Sequence, residues 1–139
     1  MKYHILPAGI VLLMLLLIPV SAFDIREGDT IVINDPVSDD LMVSGGTVII
    51  NAPVKSLTFA GGKLEVNAPV DENLIAAGGE ISVNAPVGTD LIAAGGRVVI
   101  DADVGGKVLA VGGQAVMNGQ TSNIAISGGK VLLGKASHI

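Results

Sequence analysis

Cysteine and tryptophan are absent from the 139 residues, and aromatic side chains make up only 2% of them. Disulfides, thiolate metal sites and cysteine nucleophiles are therefore excluded, and no large aromatic anchor is available for a core. Histidine is confined to His4 and His138. Basic residues are scarce too: 8 Lys and Arg stand against 13 Asp and Glu, for a net charge of −5. The few cations are scattered, so nothing gathers the basic patch that nucleic-acid binding needs, and nucleic acid is not an expected partner. Amphipathic helical periodicity is also lacking, since no window of ten or more residues carries apolar positions at i, i+3, i+4 and i+7. What remains is aliphatic and flexible: half the chain is hydrophobic (50%) and 19 residues are glycine.

Residues 1–22 differ from the rest. Lys2 gives a positive start, an apolar run begins at Ala8, and Val20, Ser21 and Ala22 supply small residues before Phe23. This reads as a secretory signal peptide. The alternative is an uncleaved membrane anchor, but Ile5 to Val20 is short of the roughly 18 to 20 apolar residues of a span and is interrupted by Pro7 and Pro19. The division expected is a signal segment over 1–22 and one repeat domain over 23–139, placing the protein outside the cytoplasm, in the envelope or beyond it.

Glycine pairs begin at Gly45, Gly61, Gly78, Gly95, Gly112 and Gly128, with Gly28-Asp29 as a degenerate first copy. A regular period of 16 or 17 residues points to a solenoid, whose units bury their apolar faces only by stacking. Three residues after the first glycine stand Ile31, Val48, Leu64, Ile81, Val98, Ala115 and Val131. Two further on come Ile33, Ile50, Val66, Val83, Ile100, Met117 and Leu133. Apolar columns one residue apart indicate strand alternation, and β-branched residues dominate them. A third column holds Val37, Val54, Val70, Val87 and Val104; a fourth holds Leu41, Leu57, Leu74, Leu91, Val108 and Ile124. The fold predicted is all-β: a single-stranded parallel β-helix, or β-solenoid, with coils of about 17 residues.

Corners need polar satisfaction. Asn34, Asn51, Asn67, Asn84, Asp101 and Asn118 recur at one coil position, where stacked coils would align them as a ladder of mutually bonded amides. Pro36, Pro53, Pro69 and Pro86 follow two residues later and fix φ in the bend. The glycine pair is expected to supply positive φ at the other sharp turn.

Reactive constellations are hard to find. Each glycine pair precedes an apolar strand such as "GGRVVI", unlike calcium-binding solenoids, and no G-x-x-x-x-G-K-[ST] opens a helix. Asp39-Asp40 and Asp71-Glu72 read as solvated corner residues. Column 13, with Asp40, Ser56, Asn73, Asp90, Lys107 and Asn123, mixes acids, amides and a base too weakly for a polysaccharide lyase. Thr30, Thr47, Thr58, Thr89 and Thr121 form no column of the kind an ice-binding face needs. No catalytic residue, cofactor or metal ligand is expected.

One outward column is apolar. If Leu74 and Leu91 point inward, Met42, Thr58, Ile75, Ile92, Leu109 and Ala125 point out. Either an elliptical coil half-buries them, or Met42, Ile75, Ile92 and Leu109 form a lateral contact with another rod or with lipid. The ends look unfinished as well: neither the first coil nor "GGKVLLGKASHI" carries the polar cap that solenoids usually have. That is the expectation for a fragment, or for ends that pair with other copies.

The phrases "INAPV…LTFAGG", "VNAPV…LIAAGG" and "IDADVGGKVLAVGG" resemble the polymer-forming, bactofilin-like repeat proteins over residues 28 to 133. The resemblance implies a parallel β-helix that joins end to end into filaments through apolar terminal coils, without nucleotide, as cytoskeleton or scaffold. Carried onto this chain, it implies an end-to-end interface of Ile31, Ile33 and Val37 at the first coil and Val131, Leu132 and Leu133 at the last. Bactofilins are typically cytoplasmic, whereas this chain begins with an export-like segment. The function expected is a non-enzymatic structural protein that forms a homopolymer in the cell envelope, with a membrane surface or another envelope component as a further partner. The alternative is an exported, adhesin-like module presenting one face to glycan or protein.

Overall fold

The computed structural model describes residues 23–134 of the chain. Every regular element among them is a strand: β1 (Phe23–Ile33), β2 (Val37–Ile50), β3 (Val54–Val66), β4 (Leu74–Val83), β5 (Leu91–Ile100), β6 (Val104–Met117) and β7 (Thr121–Leu133). They form one parallel sheet in chain order, β1-β2-β3-β4-β5-β6-β7. Each strand lies one coil above its predecessor, so Leu57 pairs with Leu74, Leu74 with Leu91 and Leu91 with Val108. Successive parallel neighbours joined by so short a connection can only wind around an axis. The chain is a β-solenoid with coils of about 17 residues.

Why these segments are strands follows from what each coil must bury. The first two columns are fully enclosed from Val48 to Ala115 and from Ile33 to Met117, and the valine column and the leucine column close the opposite side. The valine column makes a third, short side of the coil through the isolated parallel bridges Val54↔Val70, Val70↔Val87 and Val87↔Val104. Thr121 continues that column in the last coil, where its hydroxyl hydrogen-bonds the Gly106 carbonyl oxygen (2.7 Å) and so satisfies the one buried polar side chain found among the described residues. Two further inward columns are made of small or adaptable residues. Val43, Phe59, Ala76, Ala93 and Ala110 stack below Ile126, and Ala52, Ala68 and Ala85 line the corner after the asparagines.

The glycine pairs are not turns of positive φ. No glycine among the described residues has a positive φ, and each pair from Gly45 onward lies inside a strand. The expectation is overturned by a steric requirement instead. A Cβ on Gly45 would sit 2.5 Å from the Gly28 carbonyl oxygen, one on Gly78 would sit 2.7 Å from that of Gly61, and one on Gly61 would collide with the Gly45 carbonyl oxygen more closely still. The strand bends where the coils approach backbone to backbone, and only a residue without a side chain fits.

Proline and asparagine behave as the corner requires. Val37, Val54 and Val70 donate their N–H groups to the carbonyl oxygens of Pro53, Pro69 and Pro86, at 3.0 to 3.1 Å. In the opposite sense Asn51, Asn67 and Asn84 donate theirs to Ile33, Ile50 and Val66, each at 2.8 Å. Proline contributes only its carbonyl to this ladder, so its missing N–H costs nothing. No helix among the described residues is long and apolar enough to cross a membrane. The signal segment over 1–22 and His138 lie outside the described residues.

Candidate functional site

Three surfaces carry the residues singled out by sequence: the asparagine corner, the outward face of the leucine side, and the last coil.

At the corner, Asn51 Nδ2 donates to Asn34 Oδ1 (3.2 Å), Asn67 Nδ2 to Asn51 Oδ1 (3.1 Å) and Asn84 Nδ2 to Asn67 Oδ1 (3.1 Å). Each amide donates upstream and accepts from downstream, so the ladder needs an N–H and an oxygen at every rung. It ends at Asn84. Asp101 stands at the next rung, and a carboxylate has no N–H to offer the Asn84 oxygen.

Column 13 forms a second ladder that the sequence reading did not foresee. The N–H of Asn73 is 3.4 Å from Ser56 Oγ, that of Asp90 is 3.2 Å from Asn73 Oδ1, and that of Lys107 is 2.9 Å from Asp90 Oδ1. Asp103 Oδ1 accepts from the Gln120 N–H at 2.8 Å in the same way. These short polar side chains cap backbone donors of the next coil. The signal in the sequence was the recurrence of Ser, Asn and Asp directly before the inward leucine. Ser56, Asn73, Asp90 and Asp103 each accept from a backbone N–H one coil on, and that spends these polar atoms on the fold.

Electrostatics are sparse. Arg97 Nη1 lies 3.8 Å from Glu80 Oε1 on the exposed side of the sheet, a contact of little energetic weight. The Arg26 guanidinium bonds the Asp24 carboxylate at 2.8 Å; that hydrogen bond holds the Asp24 carboxyl below its ordinary value and raises the guanidinium in turn. Among the described residues no group of three or more His, Asp or Glu is placed to hold a metal ion.

The outward face of the leucine side is largely apolar, with Glu27, Ser44 and Thr58 among its polar members. The strand register aligns Ile25, Met42, Thr58, Ile75, Ile92, Leu109 and Ala125 in one ladder. Ile75, Ile92 and Leu109 are 42 to 46% exposed. Two residues along each strand runs a parallel ladder of Ser44, Ala60, Ala77, Ala94 and Val111, also exposed. A shallow groove of about 140 Å³ lies between the two ladders near β1, walled by Ile25, Met42, Ser44, Thr58 and Ala60.

The two ends differ. In the last coil the inward columns come to the surface: Val131 is 38% and Leu133 45% exposed, and Leu132 beside them is as open. In the first coil Ile33 (1%) and Val37 (8%) are buried and Ile31 is half-buried against the core. Of the six terminal residues that the family resemblance implied, the exposed ones are therefore those of β7. No protein-family model, no curated protein and no solved structure matches this chain.

Proposed function

We propose that this chain is a non-enzymatic structural protein whose solenoids join end to end into a filament or scaffold of the cell envelope, in the manner of the bactofilin-like repeats it resembles. The observation that carries the reading is β7, where Val131 and Leu133 continue two core columns yet stand open to solvent. An apolar column that ends in the open is completed by another coil, and a parallel edge strand offers the backbone template for it. A second copy of the chain supplies both. The polar side chains add support: Ser56, Asn73 and Asp90 of column 13 are occupied with backbone, and Asn34, Asn51, Asn67 and Asn84 of the corner with one another, leaving fold rather than chemistry as their work. Export to the envelope rests on the composition of residues 1–22.

Negative-stain electron microscopy across a concentration series tests the reading. Filaments that lengthen with concentration are the expected result. Single short rods at every concentration would overturn it and leave the monomeric module that presents a face to glycan or protein.

A further inference from the structure

The leucine side presents a surface without charge. Beyond Glu27 in the first coil, both outward ladders and the second glycine of each pair carry no ionisable group, although at least one ionisable group occurs on the other sides of every coil. Among the described residues, six of the ten large apolar side chains that stand exposed belong to this face: Ile25, Met42, Ile75, Ile92, Leu109 and Val111. The face is also regular, because the two interruptions of register fall between Val37 and Asp40 and between Val104 and Lys107, outside it.

The two ladders differ in height. Ile75, Ile92 and Leu109 make a ridge, and Ala60, Ala77 and Ala94 make a furrow beside it, separated along the strand by two residues, or about 6.6 Å. Two such faces can meet with their rods aligned in only two closed ways. With axes antiparallel, the twofold runs along the strands and sets ridge on ridge, holding the sheets apart. With axes parallel, the twofold runs along the rod and sets the ridge of each copy into the furrow of the other. At the rim beside β5 opposite charges then come near each other, because Asp90 of one copy stands opposite Gly96 of the other, one residue from Arg97. An anionic lipid surface fits less well, since the chain is net acidic and Asp40 and Asp90 border the face.

We propose that this face is the lateral contact between two copies of the chain, lying side by side with parallel axes and interlocked in register. The inference extends the filament reading and rests on it for its strength. Seven coils spaced about 4.8 Å apart and a strip about 13 Å wide give on the order of 400 Å² per copy, so one pair buries on the order of 900 Å², below the 1,200 Å² or so of a stable interface. Lateral pairing of single rods is therefore weak and transient, and it becomes durable when end-to-end growth repeats the contact along a filament.

The chain has no cysteine, so single thiols can be placed at will. Ile75→Cys and Ala77→Cys proteins are mixed at high concentration and treated with a short bismaleimide, beside a mixture of Ile75→Cys and Ile92→Cys. The parallel arrangement predicts a cross-linked heterodimer at least about tenfold more abundant in the first mixture. Repeating the reaction in a Val131→Lys/Leu133→Lys background separates the two ideas, since the lateral cross-link is retained there at lower yield even if elongation is lost. Equal yields in the two mixtures, a dominant Ile75–Ile92 product, no heterodimer in either background, or binding of the face to anionic vesicles in place of a second copy would overturn the proposal.

Discussion

Asn67 holds two neighbours at once: its Nδ2 donates to Asn51 Oδ1 at 3.1 Å, and its Oδ1 accepts from Asn84 Nδ2 at 3.1 Å. The pair 16 residues away and the pair 17 residues away are thus linked through one side chain, which ties the three coils together at their corner. Asn67→Ala removes both bonds and is expected to cost about 1 to 3 kcal/mol in urea denaturation. Asn118→Ala, where the ladder has already ended, is expected to change stability by less than about 0.5 kcal/mol.

The break in that ladder can be repaired. Asp101 sits in register, its N–H bonded to the Val83 carbonyl oxygen at 2.8 Å as the asparagines are to theirs. Asp101→Asn supplies the missing amide donor to Asn84, and is expected to raise stability by about 0.5 to 1.5 kcal/mol. Thermal unfolding of the variant beside the parent measures it. An unchanged or lowered midpoint would show that the spacing at this rung does not allow the bond.

The two glycines of a pair are expected to differ. A methyl group on Gly95 collides with the Gly78 carbonyl oxygen, whereas one on Gly96 stands 3.1 Å from that of Gly79. Backbone cannot swing aside, so Gly95→Ala is expected to cost about 1 to 3 kcal/mol. Gly96→Ala needs a small adjustment and gains from a less flexible unfolded chain, so its net effect is expected to stay within about 0.5 kcal/mol. Equal costs at both positions would refute the close-approach explanation of the repeat.

Much of this architecture is legible in the sequence, for a physical reason. Columns such as Val48, Leu64, Ile81 and Val98 repeat because every coil faces the same neighbours, so one period displays the inward side. The asparagine corner is legible on the same ground. The alanine columns are not: Ala76 and Ala93 point inward, but alanine signals neither face, although Val43, Phe59 and Ile126 in the same column are large and apolar. The glycine pair was misread because positive φ and close backbone approach select the same residue. Column 13 read only as a mixture too weak for a polysaccharide lyase, because a side-chain bond to a backbone N–H one coil away leaves no mark in composition. The exposed face was legible as a stripe, while its charge-free breadth emerged only once the register placed Ala60, Ala77 and Ala94 beside it.

Acid sensitivity has a local source at Asp24. Arg26 holds the Asp24 carboxyl below its ordinary value through a hydrogen bond. A lowered folded-state value stabilises above the unfolded value near 3.9, and the contribution is lost as pH falls through the folded one. Arg26→Ala is expected to return the Asp24 titration, followed by carboxyl carbon shifts, to the ordinary carboxylate range. A titration that does not move would show that the ion pair is absent in solution.

The account stands on the exposed end of the solenoid, and sedimentation velocity tests it most directly. The parent protein and Val131→Lys/Leu133→Lys are compared over about a hundredfold range of concentration, with circular dichroism confirming that both keep the β-solenoid. The account predicts species that grow with concentration for the parent and a single small species for the variant. Identical distributions for the two proteins, whether both grow or neither does, would contradict it.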